Sequence, residues 1–354
     1  MCKGLWISLA VFGSLLSYGQ TSITKFGRTT VVVPALVESK SGEIAYGLTA
    51  DNFSIKDDGI EQRFKLEKDP GAQPLSLLLV IQTGHNAGPE LGKIAGLDDL
   101  LDSLLTSPRD RVGVLTFDSR PRMVQSFTTG SDSVSGALST ITSGDSGSAL
   151  FDAIHMAVAA LRRESSDSRH VILLISGEHD HGSAAFDAGS LIRDVSSSEV
   201  SIYSLSFRPG RKELLSRLWS LNPLAMTASA LQRNAGEGLA QLTGGDFYRF
   251  DSEKSFENDV SEAANHIHNR YTLEFQPNGR DPGFHSLQVD VRHVKGSVVT
   301  ARSGYWLSDQ SGAKGGGGSS PAMQALSTPV HATAFTAPGN VQQSAATKSL
   351  TASQ

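Results

Sequence analysis

Apolar residues in the middle of the chain occur in short, nearly continuous runs, which read SLLLVIQ, DRVGVLTFDS, RHVILLIS and VSIYSLSF. Strands that are apolar on both faces are typical of a sheet covered by helices on both sides. Between the runs lie three stretches whose apolar residues have helical spacing: ELGKIAGLDDLLDSLLT, SALFDAIHMAVAALRRE and AAFDAGSLIRDVSSS. A fourth stretch, EGLAQLTGGDFYRF, predicts a helix that ends at Gly244. This alternation predicts a doubly wound, mostly parallel α/β sheet over residues 75–252.

The two segments that flank this region alternate apolar and polar residues instead, as half-buried strands do. Residues 29–68 contain TTVVVPALVES and FSIKDDGIEQRFKLEK, the second a hairpin with Asp58-Gly59 at its turn. Residues 270–307 contain YTLEFQP, HSLQVDVRHV and SVVTARSGYW. Because neither segment is large enough to fold comfortably alone, we predict that they pair into one β-sandwich-like module.

The two ends of the chain have different compositions from the rest. Residues 1–19 combine Lys3, an apolar run and the small residues Ser17 and Gly19, a pattern that predicts a cleaved signal peptide. The expected location is therefore the periplasm or the extracellular medium, with no membrane span after cleavage. Residues 308–354 are rich in Gly, Ser, Ala, Thr, Pro and Gln, and we predict a disordered tail.

Charge and cysteine content exclude several classes of function. The net charge is −5 and the sequence has no basic block, so nucleic acid is not an expected partner. Cys2 is the only cysteine and lies within the predicted signal peptide, which excludes disulfides and thiolate catalysis in the mature chain.

Candidate binding residues follow the predicted strands of the α/β region. Open α/β sheets bind ligands beyond the carboxyl ends of their strands. The loops predicted there are residues 82–88, 118–121, 144–148 and 177–182, and all four are rich in small or polar residues.

Five stretches in this order resemble a von Willebrand factor type A domain, a Rossmann-like α/β fold. They are PLSLLLVIQTG, SPRDRVGVLTFDSRPRMVQSFT, GSALFDAIHMAVAALRR, RHVILLISGEHDHGS and VSIYSLSF. The resemblance is greatest to the bacterial, exported branch with a flanking β region, where LTADNFSIKDDGIEQ and SGYW have counterparts. It covers roughly residues 31–306.

The resemblance implies a metal-ion-dependent adhesion site in which acidic and hydroxyl side chains bind Mg²⁺. The family's first-loop Asp-x-Ser-x-Ser falls on Gln82, Gly84 and Asn86, its Thr on Ser148, and its later Asp on Gly177. Only Ser148 keeps a suitable hydroxyl. Since Mg²⁺ needs anionic oxygens, we expect a degenerate site that binds no Mg²⁺ and uses no cofactor.

Two other interpretations use the same loops. His85, His179, Asp180 and His181 have the side chains of a transition-metal site, so a Zn²⁺-binding protein or a metal-dependent hydrolase is an alternative. The stretch SGDSGSAL is similar to the nucleophile loop of a serine protease. However, a serine that caps a helix at Ser148 explains it in an α/β pattern.

These observations together predict an exported, non-enzymatic binding protein. It would recognise a protein or cell-surface ligand through the loop residues Gln82, Gly84, Asn86, Ser148 and Gly177. A further alternative is a scaffold that recognises its partners through the β module.

Overall fold

The computed structural model describes residues 30–67, 73–85, 87–94, 96–207, 223–278 and 281–308. The predicted signal peptide, Asn86 and all but the first residue of the predicted tail lie outside these residues. No helix among the described residues is long and apolar enough to cross a membrane.

The described residues form fourteen strands and eight α-helices. The strands are β1 (Val31–Ser39), β2 (Phe53–Asp57), β3 (Ile60–Gln62), β4 (Phe64–Leu66), β5 (Leu75–Gln82), β6 (Arg111–Phe117), β7 (Pro121–Thr128), β8 (Arg169–Ser176), β9 (Ser201–Ser206), β10 (Phe247–Arg249), β11 (Tyr271–Phe275), β12 (Gly283–Val291), β13 (Ser297–Ala301) and β14 (Gly304–Leu307). The helices are α1 (Gly88–Leu91), α2 (Leu97–Leu104), α3 (Asp132–Ser139), α4 (Leu150–Leu161), α5 (Ala188–Ser196), α6 (Pro223–Arg233), α7 (Ala235–Thr243) and α8 (Glu253–His268).

The central sheet has six strands in the order β10-β9-β8-β5-β6-β7, and only β7 is antiparallel to its neighbour. All eight residues of β5 are buried. Leu77 and Leu79 belong to the core under α2 and α8, whereas Leu78 and Val80 belong to the core under α4, α5 and α7. This two-sided burial confirms the predicted doubly wound, mostly parallel α/β fold.

The helices after β5 and β10 differ from the sequence pattern. The stretch predicted as one helix is divided into α1, a 3-10 turn over Gly92–Ile94, and α2. Glycine has low helix propensity, and Gly92 and Gly96 lie at these junctions. Helix α8 was not predicted. Its apolar side chains pack into the core beneath β5, so this core extends past residue 252.

The flanking strands form two four-stranded antiparallel sheets, β13-β1-β11-β4 and β14-β12-β2-β3. Strand β1 pairs with β11 and β13, so the sheets join residues from both ends of the described chain. Val33 and Leu273 of one sheet share a core with Ile55 and Leu287 of the other. These contacts confirm the predicted β-sandwich-like module.

A buried polar network lies where the β module meets the α/β sheet. His266 of α8 contacts Asp246 at 3.1 Å and Glu38 of β1 at 3.4 Å. Arg270 donates to Asp246 at 2.8 Å and also to Gly244 O. Burial alone would lower the pKa of His266, but the hydrogen bonds with Asp246 and Glu38 outweigh it and raise the pKa to about 9.

Arg302 connects the same two parts of the fold. Its guanidinium is buried and donates to the carbonyls of Ser196 and Ser198 at the end of α5, both at 3.2 Å. It also donates to Gly304 O at 3.1 Å within the β module. Burial lowers the pKa of Arg302 to about 10, and the negative end of the α5 dipole favours the remaining charge.

Candidate functional site

The four predicted loops converge at the carboxyl ends of β5, β6 and β8. Backbone hydrogen bonds join them in pairs: Gly144 N–H donates to Thr83 O at 2.8 Å, and His85 N–H donates to Asp145 O at 3.0 Å. Ser148 and His181 form a two-way bridge with both N···O distances at 2.7 Å. The loops therefore form one closed face, held by main-chain contacts.

Gln82 connects the first loop to the loop after β8. Its side chain is buried, and its Oε1 accepts a hydrogen bond from Gly177 N–H at 2.9 Å. Its Nε2 donates to Gly84 O at 3.0 Å. Gln82 and Gly177 stand at the two acidic positions that the family resemblance implies. A neutral amide link therefore joins the two positions where the family has carboxylates.

Gly84 lies against the loop that precedes α4. A Cβ atom built on Gly84 would overlap the carbonyl oxygen of Gly147 and lie 2.8 Å from Cα of Asp118. The implied serine therefore has no room at this position. Gly177 differs, because a Cβ there would meet Gln82 Oε1 at 3.5 Å and the Phe207 ring at 3.6 Å, which are ordinary contacts.

Ser148 is buried, and its hydroxyl has no hydrogen-bond partner among the described residues. The expectation that Ser148 caps the following helix is wrong, because α4 begins at Leu150 after Ala149. The cap comes from Asp180 on the neighbouring loop, whose Oδ1 accepts from Phe151 N–H at 3.1 Å. A carboxylate at a helix N-terminus satisfies a free N–H and complements the helix dipole.

Other carboxylates around the face are also engaged by protein groups. Asp118 follows β6, accepts from Arg120 N–H at 3.1 Å within its own loop, and pairs with Arg122. Asp145 accepts from the Ser119 hydroxyl, which lowers the Asp145 pKa. Glu178 pairs with Arg249 at 3.3 Å.

The residues at this face do not fit Mg²⁺. Mg²⁺ binds in an octahedral set of oxygens and requires anionic ligands to displace its water. Of the implied positions, Ser148 supplies one neutral hydroxyl, the Gln82 amide is occupied by two backbone groups, and Gly84 and Gly177 have no side-chain oxygen. Asn86 lies outside the described residues.

The structure brings some of the loop imidazoles together. The ring centres of His85 and His181 are 4.4 Å apart, and those of His179 and His181 are 6.1 Å apart. Asp180, the carboxylate of the alternative Zn²⁺ set, also accepts from the Ser183 hydroxyl at 2.5 Å. Within the described ranges, no three of these four residues place ligand atoms within 4.8 Å of one another.

Sequence reasoning located the loops but missed the groups that close them. The Gly147 carbonyl and the Asp180 cap act on residues more than 25 positions away in sequence. The one local signal is the pair of glycines in SGDSGS, because close backbone approach is a common reason for glycine in a loop.

Residues 92–179 match the family model for the von Willebrand factor type A domain. Among solved structures, BatB from Bacteroides thetaiotaomicron is 15% identical, with 54% of this chain and 99% of that chain covered and a TM-score of 0.38. A von Willebrand factor type A protein from Catenulispora acidiphila is 9% identical, with 75% and 77% covered and a TM-score of 0.42.

Proximal thread matrix protein 1 from the mussel byssus, with a zinc-occupied MIDAS motif, is 14% identical to this chain. The match covers 59% of this chain and 49% of that protein, with a TM-score of 0.42. No curated protein matches the sequence.

Proposed function

We propose that this chain, which contains a von Willebrand factor type A domain, is an exported, non-enzymatic protein that binds a protein partner through its loop face without a metal ion. The observation that carries the proposal is the Gln82 link to Gly177 and Gly84. It holds the face together with neutral hydrogen bonds at the positions where the family resemblance implies ionic ligands.

The surface of this face suits recognition by polar side chains and backbone groups. Residues 142–146 are exposed, as are His181 and Gly182. Cross-loop hydrogen bonds fix the backbone beneath them, so little conformational entropy remains to be lost when a partner binds. A rigid face of this kind, whose carboxylates are already paired with protein groups, favours a complementary protein surface over a small ionic ligand.

The same geometry disfavours hydrolysis by the loop residues. An activated serine needs an imidazole within hydrogen-bond reach, and the Ser148 hydroxyl is buried without a partner among the described residues. The carboxylate of Asp180 already caps α4, so recruiting it to a metal would leave Phe151 N–H without its acceptor. The loop imidazoles therefore favour a binding surface over a hydrolytic centre.

Capture of partners from the native envelope fraction tests the proposal. Ser146→Arg places a bulky charge on the exposed loop. Ser133→Arg makes the same change in α3, which begins near the amino ends of the parallel strands because the preceding β7 is antiparallel. We expect Ser146→Arg to abolish capture, and Ser133→Arg and EDTA to leave it unchanged. Loss of capture on chelation would refute metal-independent binding. Capture that survives Ser146→Arg would instead favour recognition by the β module.

A further inference from the structure

A second group of polar side chains lies in the β module, away from the loop face. Asp57 is the last residue of β2, Asp58 is the first residue of the turn to β3, and His285 lies on β12. Strand β12 pairs with β2, and Asp58 N–H donates to Ser286 O at 2.9 Å. The sheet therefore brings together side chains that are more than 200 positions apart in sequence.

Asp57 has one carboxylate oxygen without a partner. Its side chain is 8% exposed, and its Oδ2 accepts from the Tyr305 hydroxyl at 3.0 Å. Its Oδ1 is buried, accepts no hydrogen bond from a described residue, and faces His285 Nδ1 at 3.9 Å. A buried carboxylate oxygen without a hydrogen bond is costly, because its water has been lost without replacement.

His285 is held so that one ring nitrogen faces both carboxylates. Its Nε2 lies 2.8 Å from Asp281 O, and a carbonyl only accepts, so Nε2 carries the proton. Its Nδ1 lies 2.8 Å from Asp58 Oδ2. The ring stacks on Tyr305, with centres 5.1 Å apart and planes 18° apart. Nδ1 therefore faces the oxygens of two carboxyl groups. Either a proton or a metal cation must lie between this nitrogen and the carboxylates.

We propose that Asp57, Asp58 and His285 bind one transition-metal dication, with Zn²⁺ as the best-matched ion. One ligand atom from each residue lies within 4.8 Å of the others. Ligands about 2.1 Å from a tetrahedral ion lie about 3.4 Å apart, so small side-chain movements complete the set. An imidazole nitrogen with two carboxylates suits Zn²⁺ better than Mg²⁺ or Ca²⁺.

The surroundings supply what metal ligands usually have. Asp281 O fixes the His285 tautomer, and the Tyr305 hydroxyl holds the second oxygen of Asp57. The Asp58 side chain is 50% exposed, so the site opens to solvent on one side. Three protein ligands with an open position leave room for a water molecule or a group from a partner.

Calorimetric titration of the metal-stripped full chain with ZnCl₂ tests the site. We expect one equivalent of Zn²⁺ to bind, and Asp57→Asn or His285→Ala to weaken binding by more than about 100-fold. Tyr305→Phe, which removes only the supporting hydrogen bond, should weaken it by about 10-fold to 100-fold. His293→Ala, an exposed imidazole of the same module, should have no effect.

Two further measurements keep the result decisive if a variant is less stable. Zn²⁺ should raise the Tm of the wild type but not that of Asp57→Asn, since an ion that binds only the folded state stabilises it. Anomalous scattering from crystals grown with Zn²⁺ should place the ion between the three side chains. No saturable binding, or binding unchanged in Asp57→Asn and His285→Ala, would overturn the proposal and leave His285 as a protonated partner of Asp58.

The result of the Zn²⁺ titration is independent of the result of the capture assay, because the titration measures binding of the ion alone and the capture assay measures binding of a protein partner. Repeating the chelator arm of the capture assay with His285→Ala distinguishes the two sites. If His285→Ala without chelator captures as little as the wild type does with chelator, the metal dependence belongs to the β module and not to the loop face.

Discussion

Replacing Gly84 with alanine tests whether backbone contacts close the loop face. Gly84 lies outside the left-handed backbone region, so the variant is opposed by lack of space alone. The new methyl group would overlap Gly147 O and approach Asp118 Cα at 2.8 Å. Both neighbours are main-chain atoms, and a side-chain rotation cannot relieve the overlap. The loop that contains Gly147 must therefore move.

Moving that loop strains two cross-loop hydrogen bonds, from Gly144 N–H to Thr83 O and from His85 N–H to Asp145 O. Each such bond contributes about 1 kcal/mol net, and overpacking adds about 1–3 kcal/mol. We expect Gly84→Ala to lower the free energy of unfolding by about 3 kcal/mol. For a domain of this size, that corresponds to a Tm lower by about 6–12 °C.

Thermal unfolding followed by circular dichroism measures this difference. Gly177→Ala is the matched control, because its methyl group would meet only ordinary contacts at 3.5 Å or more. The control should unfold within about 2 °C of the wild type, the shift expected for less than about 1 kcal/mol. If Gly84→Ala has the same Tm as Gly177→Ala, Gly147 O does not exclude a side chain at position 84, and the position has room for a serine.

Three further predictions concern groups that hold the α/β sheet and the β module. Because the pKa of His266 is raised from 6.5 to about 9, its contribution of about 3 kcal/mol is present below pH 6.5 and lost as pH rises through 9. His266→Gln should therefore flatten the fall in urea midpoint over that range, and an unchanged slope would contradict this. Asp180→Ala should cost about 1 kcal/mol by uncapping α4, with Asp180→Asn intermediate, in chemical denaturation. Arg302→Met removes the hydrogen bonds to the carbonyls of Ser196 and Ser198, so it should lower the free energy of unfolding by about 2–4 kcal/mol and lower Tm. Arg163→Met, at an exposed arginine, is the control and should leave Tm unchanged. Equal Tm values for the two variants would contradict a stabilising role for the Arg302 hydrogen bonds.

The loop face shows how hydrogen bonds can hold the arrangement in which a metal site would otherwise be expected. An ion joins loops by attracting several oxygens at once, whereas Gln82 joins them by one acceptor and one donor on the same planar amide. The link also satisfies the Gly177 N–H, which would otherwise need another acceptor. Chelation or pH changes should therefore leave this link intact.

The sequence by itself determined the fold class and the position of the face. Strand β5 is apolar at six of its eight positions, all except Ser76 and Gln82, and a run of this kind is typical of a strand buried on both faces. The sequence likewise predicts the Asp58-Gly59 turn, because a two-residue hairpin turn of this type requires positive φ at both residues and Asp-Gly tolerates it. The observed φ angles are 47° and 82°. These features depend on local periodicity and backbone preference, which the chain carries at each position.

Only the tertiary structure decided how the face is closed and where a metal ligand set arises. Nothing local indicates that Gly147 O fills the space beside Gly84, or that Asp180 rather than Ser148 caps α4. Asp57 and His285 are neighbours because β2 and β12 pair in one register, across most of the chain's length. Hydrogen bonds and ligand sets act over about 3 Å, so they depend on the mutual placement of distant segments, which periodicity does not encode.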